Sequence, residues 1–169
     1  MGLRSLYFAI PLCAGLLSSL PARADPLTDI FPGCGHLRCV IKYNTGGIVK
    51  DYMVAAMLII YRKIPLVMID EKCMSACAIV TDFLRTSGVD VCITPIAEMA
   101  FHKATNYTAG IDGKWLFLSY EDTPQSPEVL RWIKKRGGFP IANTYEKMLK
   151  MPAEEASKFW RMCTPKDYH

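Results

Sequence analysis

Three groups of residues in this sequence have the types and the spacing that acyl-transfer chemistry needs. Gly46 and Gly47 close an apolar run, Ser75 follows within Cys-Met-Ser-Ala-Cys, and His102 ends a later apolar run. A serine hydroxyl becomes a nucleophile when a histidine accepts its proton, and backbone N–H groups of a glycine turn stabilise the negative charge that develops on the substrate oxygen. The order of these groups therefore predicts a serine hydrolase site.

The elements that must position these residues follow from hydrophobic patterning. Alternating short apolar runs and longer helical segments are typical of a parallel sheet with helices on both faces. Strands are predicted at residues 37–43, 65–69, 90–93 and 97–101, and helices at residues 48–62 and 75–85. Gly46-Gly47 and Ser75 both occupy junctions between a strand and a helix, so we expect them at the same edge of the sheet.

The last third of the sequence is less regular. Residues 107–120 predict a polar hairpin or loop, with a turn at residues 111–114. Ser126-Pro127-Glu128 predicts the start of a helix that ends before Gly137-Gly138. A final helix is expected from about Pro152 to Trp160.

The first 24 residues have the three parts of an export signal. Arg4 gives a positive start, residues 6–20 form an apolar stretch, and Ala22-Arg23-Ala24 is a small-x-small cleavage pattern. The apolar stretch is short for a membrane span, which needs about 20 residues. We therefore expect residues 1–24 to be a bacterial-type signal peptide, with an uncleaved anchor as the alternative. The protein would then be periplasmic or secreted, without stable membrane insertion after cleavage.

The rest of the chain, residues 25–169, is long enough for a single domain with a real core. Of the 20 Lys and Arg residues two leave with the signal peptide, so 18 basic residues face 16 acidic ones. Neither a strong charge excess nor a long basic run is present, and nucleic acid is therefore not an expected partner.

Six cysteines remain after cleavage, an even number that favours disulfides in an exported chain. They are Cys34, Cys39, Cys73, Cys77, Cys92 and Cys163. Cys34 and Cys39 are close enough in sequence to close a small loop. A metal site formed by these two and His36 is the weaker alternative, because three ligands at irregular spacing do not make a zinc motif. No metal and no cofactor are predicted.

The pairing of the other four cysteines stays open. Cys73 and Cys77 can form a bridge only if Cys73 lies before the helix begins, because the two Cα atoms must be within about 7 Å. Each could instead pair with Cys92 or Cys163, or be a small buried residue of the core.

Three segments resemble the ClpP/crotonase superfamily, which includes the proteolytic subunit of the Clp protease. They are NTGGIV at residues 44–49, CMSAC at residues 73–77 and AFH at residues 100–102. The closest similarity is to exported, ClpP-like predicted periplasmic proteins with a Cys-x-Ser-Ala-Cys form of the serine motif. The resemblance covers residues 37–103, with a weaker match at residues 151–159. It implies a ClpP/crotonase-like α/β fold of repeated β-α units, whose mostly parallel sheet is flanked by helices.

The resemblance also implies roles for individual residues. Ser75 would be the nucleophile and His102 the general base. The backbone N–H groups at Gly46, Gly47 and Ala76 would form the oxyanion hole.

The orienting acid is where the sequence departs from the family pattern. The family register puts Met148 at that position, and Glu146 is the nearest carboxylate. Asp112, Glu121 and Asp122 are further candidates without motif support. Without an acid the site would be a Ser-His dyad, since the third group fixes the tautomer of the imidazole.

The sequence thus predicts an exported serine hydrolase, most simply a peptidase that acts on a peptide or protein substrate. Members of the superfamily usually oligomerise, so a homo-oligomer is expected. The alternative is a catalytically silent member that binds a peptide or protein, with Ser75 only a helix cap and His102 a structural histidine. An enzyme of CoA esters is less favoured, because CoA is a cytoplasmic cofactor.

Overall fold

The computed structural model describes residues 25–103, 105–109, 115–119 and 125–168, and for 105–109 and 115–119 it describes the backbone alone. The predicted signal peptide and the predicted turn at residues 111–114 lie outside the described residues. So do the acid candidates Asp112, Glu121 and Asp122.

Helices and strands alternate along most of the described chain. The helices are α1 (Pro26–Ile30), α2 (Val49–Tyr61), α3 (Ala76–Thr86), α4 (Pro127–Lys134) and α5 (Ala153–Ala156). The strands are β1 (Cys39–Ile41), β2 (Leu66–Ile69), β3 (Lys72–Met74), β4 (Asp90–Ile93), β5 (Glu98–Phe101), β6 (Thr105–Ala109), β7 (Trp115–Ser119), β8 (Leu149–Pro152) and β9 (Arg161–Met162). Short 3-10 helices cover Tyr145–Lys147 and Pro165–Tyr168.

The larger sheet, sheet A, has the strand order β1-β2-β4-β9, and all its neighbouring strands are parallel. The smaller sheet, sheet B, has the order β3-β5-β8, with β3 parallel to β5 and β8 antiparallel to it. Strands β6 and β7 pair in antiparallel orientation, which agrees with the hairpin among the two alternatives predicted for this segment. The protein is therefore an α/β fold with a mostly parallel sheet flanked by helices.

The core lies between sheet A and the helices that connect its strands. Helix α2 packs against α1 and α3, and its Ala55 and Ile59 are fully buried. In β2 and β4, Val67 and Ile93 are fully buried as well. The continuous apolar runs noted in the sequence are thus the strands and helices that cover each other.

The last predicted helix is wrong in its length. Helix α5 ends at Ala156, although the helical prediction ran on to Trp160. The Trp160 side chain is only 1% exposed, and the chain after it extends into β9, which pairs with β4. Burial of this tryptophan and the strand pairing override the local helical composition.

All six cysteines of the described chain form disulfides. The pairs are Cys34–Cys39, Cys73–Cys77 and Cys92–Cys163. Cys73 lies in β3, before α3 begins, which meets the condition for a bridge to Cys77. Three disulfides fit a protein of an oxidising compartment outside the cytoplasm.

Neither a metal-binding cluster nor a membrane-spanning helix occurs in the part of the chain that the structure describes. The described residues hold no cluster of three or more His, Cys, Asp or Glu side chains that could bind a metal ion. They also contain no helix that is long and apolar enough to cross a membrane.

A buried carboxylate joins α3 to the start of α4. Asp82 is fully buried and accepts hydrogen bonds from the backbone N–H of Ser126 at 2.6 Å and from its hydroxyl at 3.1 Å. Arg85 donates to the same carboxylate at 2.7 Å and also to Glu128 at 2.8 Å. Ser126 occupies the N-cap position that the sequence predicted, but its side chain makes no capping bond, because its hydroxyl is engaged by Asp82.

Candidate active site

Parallel pairing of β3 with β5 brings Ser75 and His102 together. Met74 pairs with Ala100, and the N–H of Ser75 donates to the Ala100 carbonyl at 2.8 Å. The two strands therefore end at nearly the same level, and the residues that follow them are neighbours. The Oγ of Ser75 lies 2.7 Å from the Nε2 of His102, which is a hydrogen-bonding distance.

The backbone of Ser75 has an unusual conformation. Its φ is 54° and its ψ is −120°, in a region that costs a non-glycine residue about 1–3 kcal/mol. Ser75 occupies the N-cap position of α3, yet its side chain makes no capping hydrogen bond. The hydroxyl is thus held toward His102, and the structure does not show the helix-capping role.

His102 has the electrostatic properties of a general base. Burial lowers the pKa of the His102 imidazole below its ordinary value. The Lys103 backbone raises this pKa, but by less than burial lowers it. The neutral imidazole is therefore the favoured form near pH 7. Nδ1 is buried and makes no hydrogen bond within the described part of the chain. For Nε2 to accept the serine proton, Nδ1 must carry the ring hydrogen.

The structure does not join Glu146 to this pair. Glu146 lies in the 3-10 helix Tyr145–Lys147 and is exposed. Its own backbone N–H, the Thr144 side chain and nearby lysines lower the pKa of its carboxyl. It makes no hydrogen bond to His102, whose Nε2 faces Ser75 and whose Nδ1 is without an acceptor among the described residues. The described site is therefore a Ser-His pair.

The turn at Gly46 and Gly47 packs directly against Ser75. Gly46 has a φ of 79°, which favours glycine. A Cβ added at Gly46 would lie 2.6 Å from the Ser75 Cβ, 2.5 Å from the Met74 carbonyl oxygen and 3.1 Å from the Ala76 nitrogen. Only a residue without a side chain fits there, so the turn and the start of α3 form one continuous surface.

Asn44 holds this turn in place, a role that the sequence reasoning missed. Its Oδ1 accepts hydrogen bonds from the Gly46 N–H at 3.0 Å and from the Tyr52 hydroxyl at 2.5 Å. Its Nδ2 donates to the Ile30 carbonyl at 3.0 Å. The spacing Asn-x-Gly was the available signal, because an asparagine commonly bonds the backbone two residues on.

The contacts of Asn44 distinguish the three predicted oxyanion donors. The N–H of Gly46 is already engaged by Asn44. The N–H groups of Gly47 and Ala76 make no hydrogen bond with any residue that the structure describes. Ala76 is the first residue of α3, and the first N–H groups of a helix have no acceptor within it. Gly47 is exposed and Ala76 is fully buried, so of these two unengaged donors only that of Gly47 belongs to an exposed residue.

Comparisons of the chain with protein-family models, with curated proteins and with solved structures gave no significant match. The geometry itself must therefore indicate the chemistry. A serine hydroxyl in contact with a neutral imidazole, next to unengaged backbone donors, can carry out nucleophilic attack on an acyl carbon.

Proposed function

We propose that this chain is an exported serine hydrolase of ClpP/crotonase-like fold, most simply a peptidase. The observation that carries the proposal is the 2.7 Å contact between Ser75 Oγ and His102 Nε2. A serine that only caps a helix has no need of such a partner, or of a positive φ.

The reaction would use these residues in two steps. His102 Nε2 takes the proton from Ser75 Oγ as the oxygen attacks the acyl carbon of the substrate, and the N–H groups of Gly47 and Ala76 stabilise the oxyanion. The imidazolium then returns its proton to the leaving group, and an acyl-serine remains. Water, deprotonated by the same imidazole, releases the acid and restores Ser75.

The superfamily assignment has support of its own. The three segments that resemble the superfamily come together in space: the glycine turn contacts Ser75, and the histidine at the end of β5 contacts the same residue. The α/β architecture with a mostly parallel sheet agrees with the same assignment. The three disulfides favour action outside the cytoplasm.

Labelling with a fluorophosphonate probe tests the proposal. The purified mature protein is expected to gain one covalent adduct on Ser75, and Ser75→Ala to gain none. His102→Ala should slow labelling by about a thousandfold or more, because the base is lost. Ser87→Ala is a matched control, since Ser87 lies at the other end of α3 and is exposed, and it should be labelled like the wild type.

A catalytically silent protein that binds peptides or proteins is the second candidate. The observation in its favour is the Nδ1 of His102, which has no acceptor to orient the ring among the described residues. A folded wild-type protein that takes up no probe would support this candidate over the hydrolase.

A further inference from the structure

We propose that the Cys73–Cys77 disulfide is a positioning element for Ser75: it holds the serine and the Ala76 N–H in the geometry that reaction requires. The inference rests on the proposed hydrolase function.

The bridge encloses the nucleophile within the chain. Cys73 is in β3 and Cys77 is the second residue of α3, and their Cα atoms are 5.3 Å apart. Closing residues 73–77 into a covalent ring puts Ser75 at its centre, two residues from each cysteine. Both cysteines are fully buried, so the ring is anchored in the core on both sides of the serine.

Ser75 needs such an anchor because of its backbone. A non-glycine residue keeps a φ of 54° only when its surroundings hold it there. Other contacts contribute, namely the hydrogen bond from Ser75 N–H to Ala100 and the packing of Gly46. These are non-covalent and come from neighbouring segments. The disulfide is a covalent link from β3 to the first turn of α3 across the strained residue, beside the weaker contact of Cys73 Sγ with Thr81 Oγ1 at 3.8 Å.

The ring also controls an oxyanion donor. Ala76 lies between Ser75 and Cys77, so any rotation of the peptide that relieves Ser75 also turns the N–H of Ala76. Opening the bridge should therefore lower the reaction rate through both the nucleophile and the donor. His102 lies outside the ring, so the pH dependence of the rate should keep its midpoint.

The Cys92–Cys163 bridge provides a matched control. It joins β4 to the residue that follows β9 at the edge of sheet A, outside the ring around Ser75. Its removal should lower stability without changing the reactivity of the molecules that remain folded.

The experiment compares the rate of fluorophosphonate labelling across pH for the wild type, Cys73→Ala/Cys77→Ala and Cys92→Ala/Cys163→Ala, at a temperature where circular dichroism shows each to be folded. We expect the first double variant to be labelled about tenfold or more slowly at the plateau, with an unchanged midpoint. The second should match the wild type. Equal rates for all three proteins would overturn the inference, as would equal slowing of both double variants.

A second measurement applies if the first double variant does not fold. Wild-type protein is briefly and partially reduced with dithiothreitol, exposed to the probe, alkylated with iodoacetamide and digested with trypsin. Cleavage after Lys72 and Arg85 gives one peptide, residues 73–85, which carries Ser75 and both cysteines. Depletion of the probe from the doubly alkylated form of this peptide supports the inference, and equal labelling of both forms overturns it.

The two proposals fail in different ways. If the wild type is not labelled, the proposed hydrolase function is excluded, and the positioning role is excluded with it. If the wild type is labelled at the same rate whether the Cys73–Cys77 bridge is intact or open, only the positioning role is excluded.

Discussion

Gly46 lies against Ser75 so closely that a side chain at position 46 would overlap Ser75. An added Cβ would come within 2.6 Å of the Ser75 Cβ and 2.5 Å of the Met74 carbonyl oxygen. The glycine turn is therefore part of the wall that holds the serine, besides supplying the neighbouring N–H of Gly47.

Gly46→Ala should damage both the fold and the site. Gly88→Ala is a matched control, because Gly88 has a similar φ of 85° with nothing within 4 Å of an added Cβ. The control should lose about 1–2 kcal/mol of unfolding free energy from the left-handed backbone. Gly46→Ala should lose about 1–3 kcal/mol more through overlap, together with most of its probe labelling. Urea denaturation and labelling rates measure the two effects, and equal losses for both variants would contradict the close packing.

The rate of probe labelling should depend on pH through His102. Only the neutral imidazole accepts a proton, so the rate should rise with pH and then level off. Because burial lowers the pKa of His102, the midpoint should lie below the ordinary value of about 6.5. A His36→Gln variant, in which an exposed histidine is changed, should give the same profile. A midpoint above the ordinary value would contradict the buried, neutral base.

The same shift has a consequence for stability. The unfolded chain binds the proton of this histidine more tightly than the folded one, so acidification favours unfolding. The loss should begin as the pH falls below about 6.5 and continue down to the folded pKa.

Asp82→Asn should destabilise the protein strongly. The side chain of Asp82 is 0% exposed and that of its partner Arg85 is 22% exposed, so neutralising the carboxylate leaves a partly buried cation with less compensation. We expect a loss of about 3 kcal/mol in unfolding free energy, measured by urea denaturation.

Asp90→Asn is the control for that measurement. Asp90 pairs with Arg161 at 2.6 Å, but their side chains are 50% and 38% exposed, and such pairs contribute about 0–1 kcal/mol. Similar losses for the two variants would show that the bonds of Asp82 to Ser126 do not stabilise the junction of α3 and α4.

Assembly into a homo-oligomer remains a prediction from the sequence. Helix α2 exposes Val54, Met57 and Tyr61 by 45%, 54% and 82%, at the spacing of one helix face. Light scattering at micromolar concentration should give a mass several times that of one chain. Met57→Lys should lower that mass, because a buried charge is costly, whereas Leu37→Lys, at another exposed apolar residue, should not. A monodisperse wild-type monomer would count against assembly.

The long apolar elements could be predicted from the sequence, because the apolar residues that form them are consecutive in the chain. Helix α2 and strands β2 and β4 lie within one or two residues of the predicted bounds. Strands β3, β8 and β9 were not predicted. Each has two to four residues, too few for a periodic signal, and they exist because distant strands pair with them.

The contact between Ser75 and His102 could be predicted from the order of the motifs. Strand β3, which positions Ser75, was not predicted. Ser75 follows β3 of sheet B, which pairs in parallel with the strand that ends before His102. The bond between Asn44 and Gly46 has the signal Asn-x-Gly, but the bond from Asn44 to the Ile30 carbonyl has none, because Ile30 ends a helix of only five residues. The orienting acid could not be assigned, since the resemblance to the ClpP/crotonase superfamily puts a methionine, Met148, at its position.

Strand β9 closes one edge of sheet A with residues from the far end of the described chain. Its two residues pair with β4, and the disulfide beside it joins Cys92 to Cys163, 71 positions apart. Without β9, one edge of β4 would have no partner strand in sheet A. An open strand edge is a template for pairing with other chains. Once Cys92 and Cys163 are oxidised, a molecule that unfolds keeps the two segments tethered.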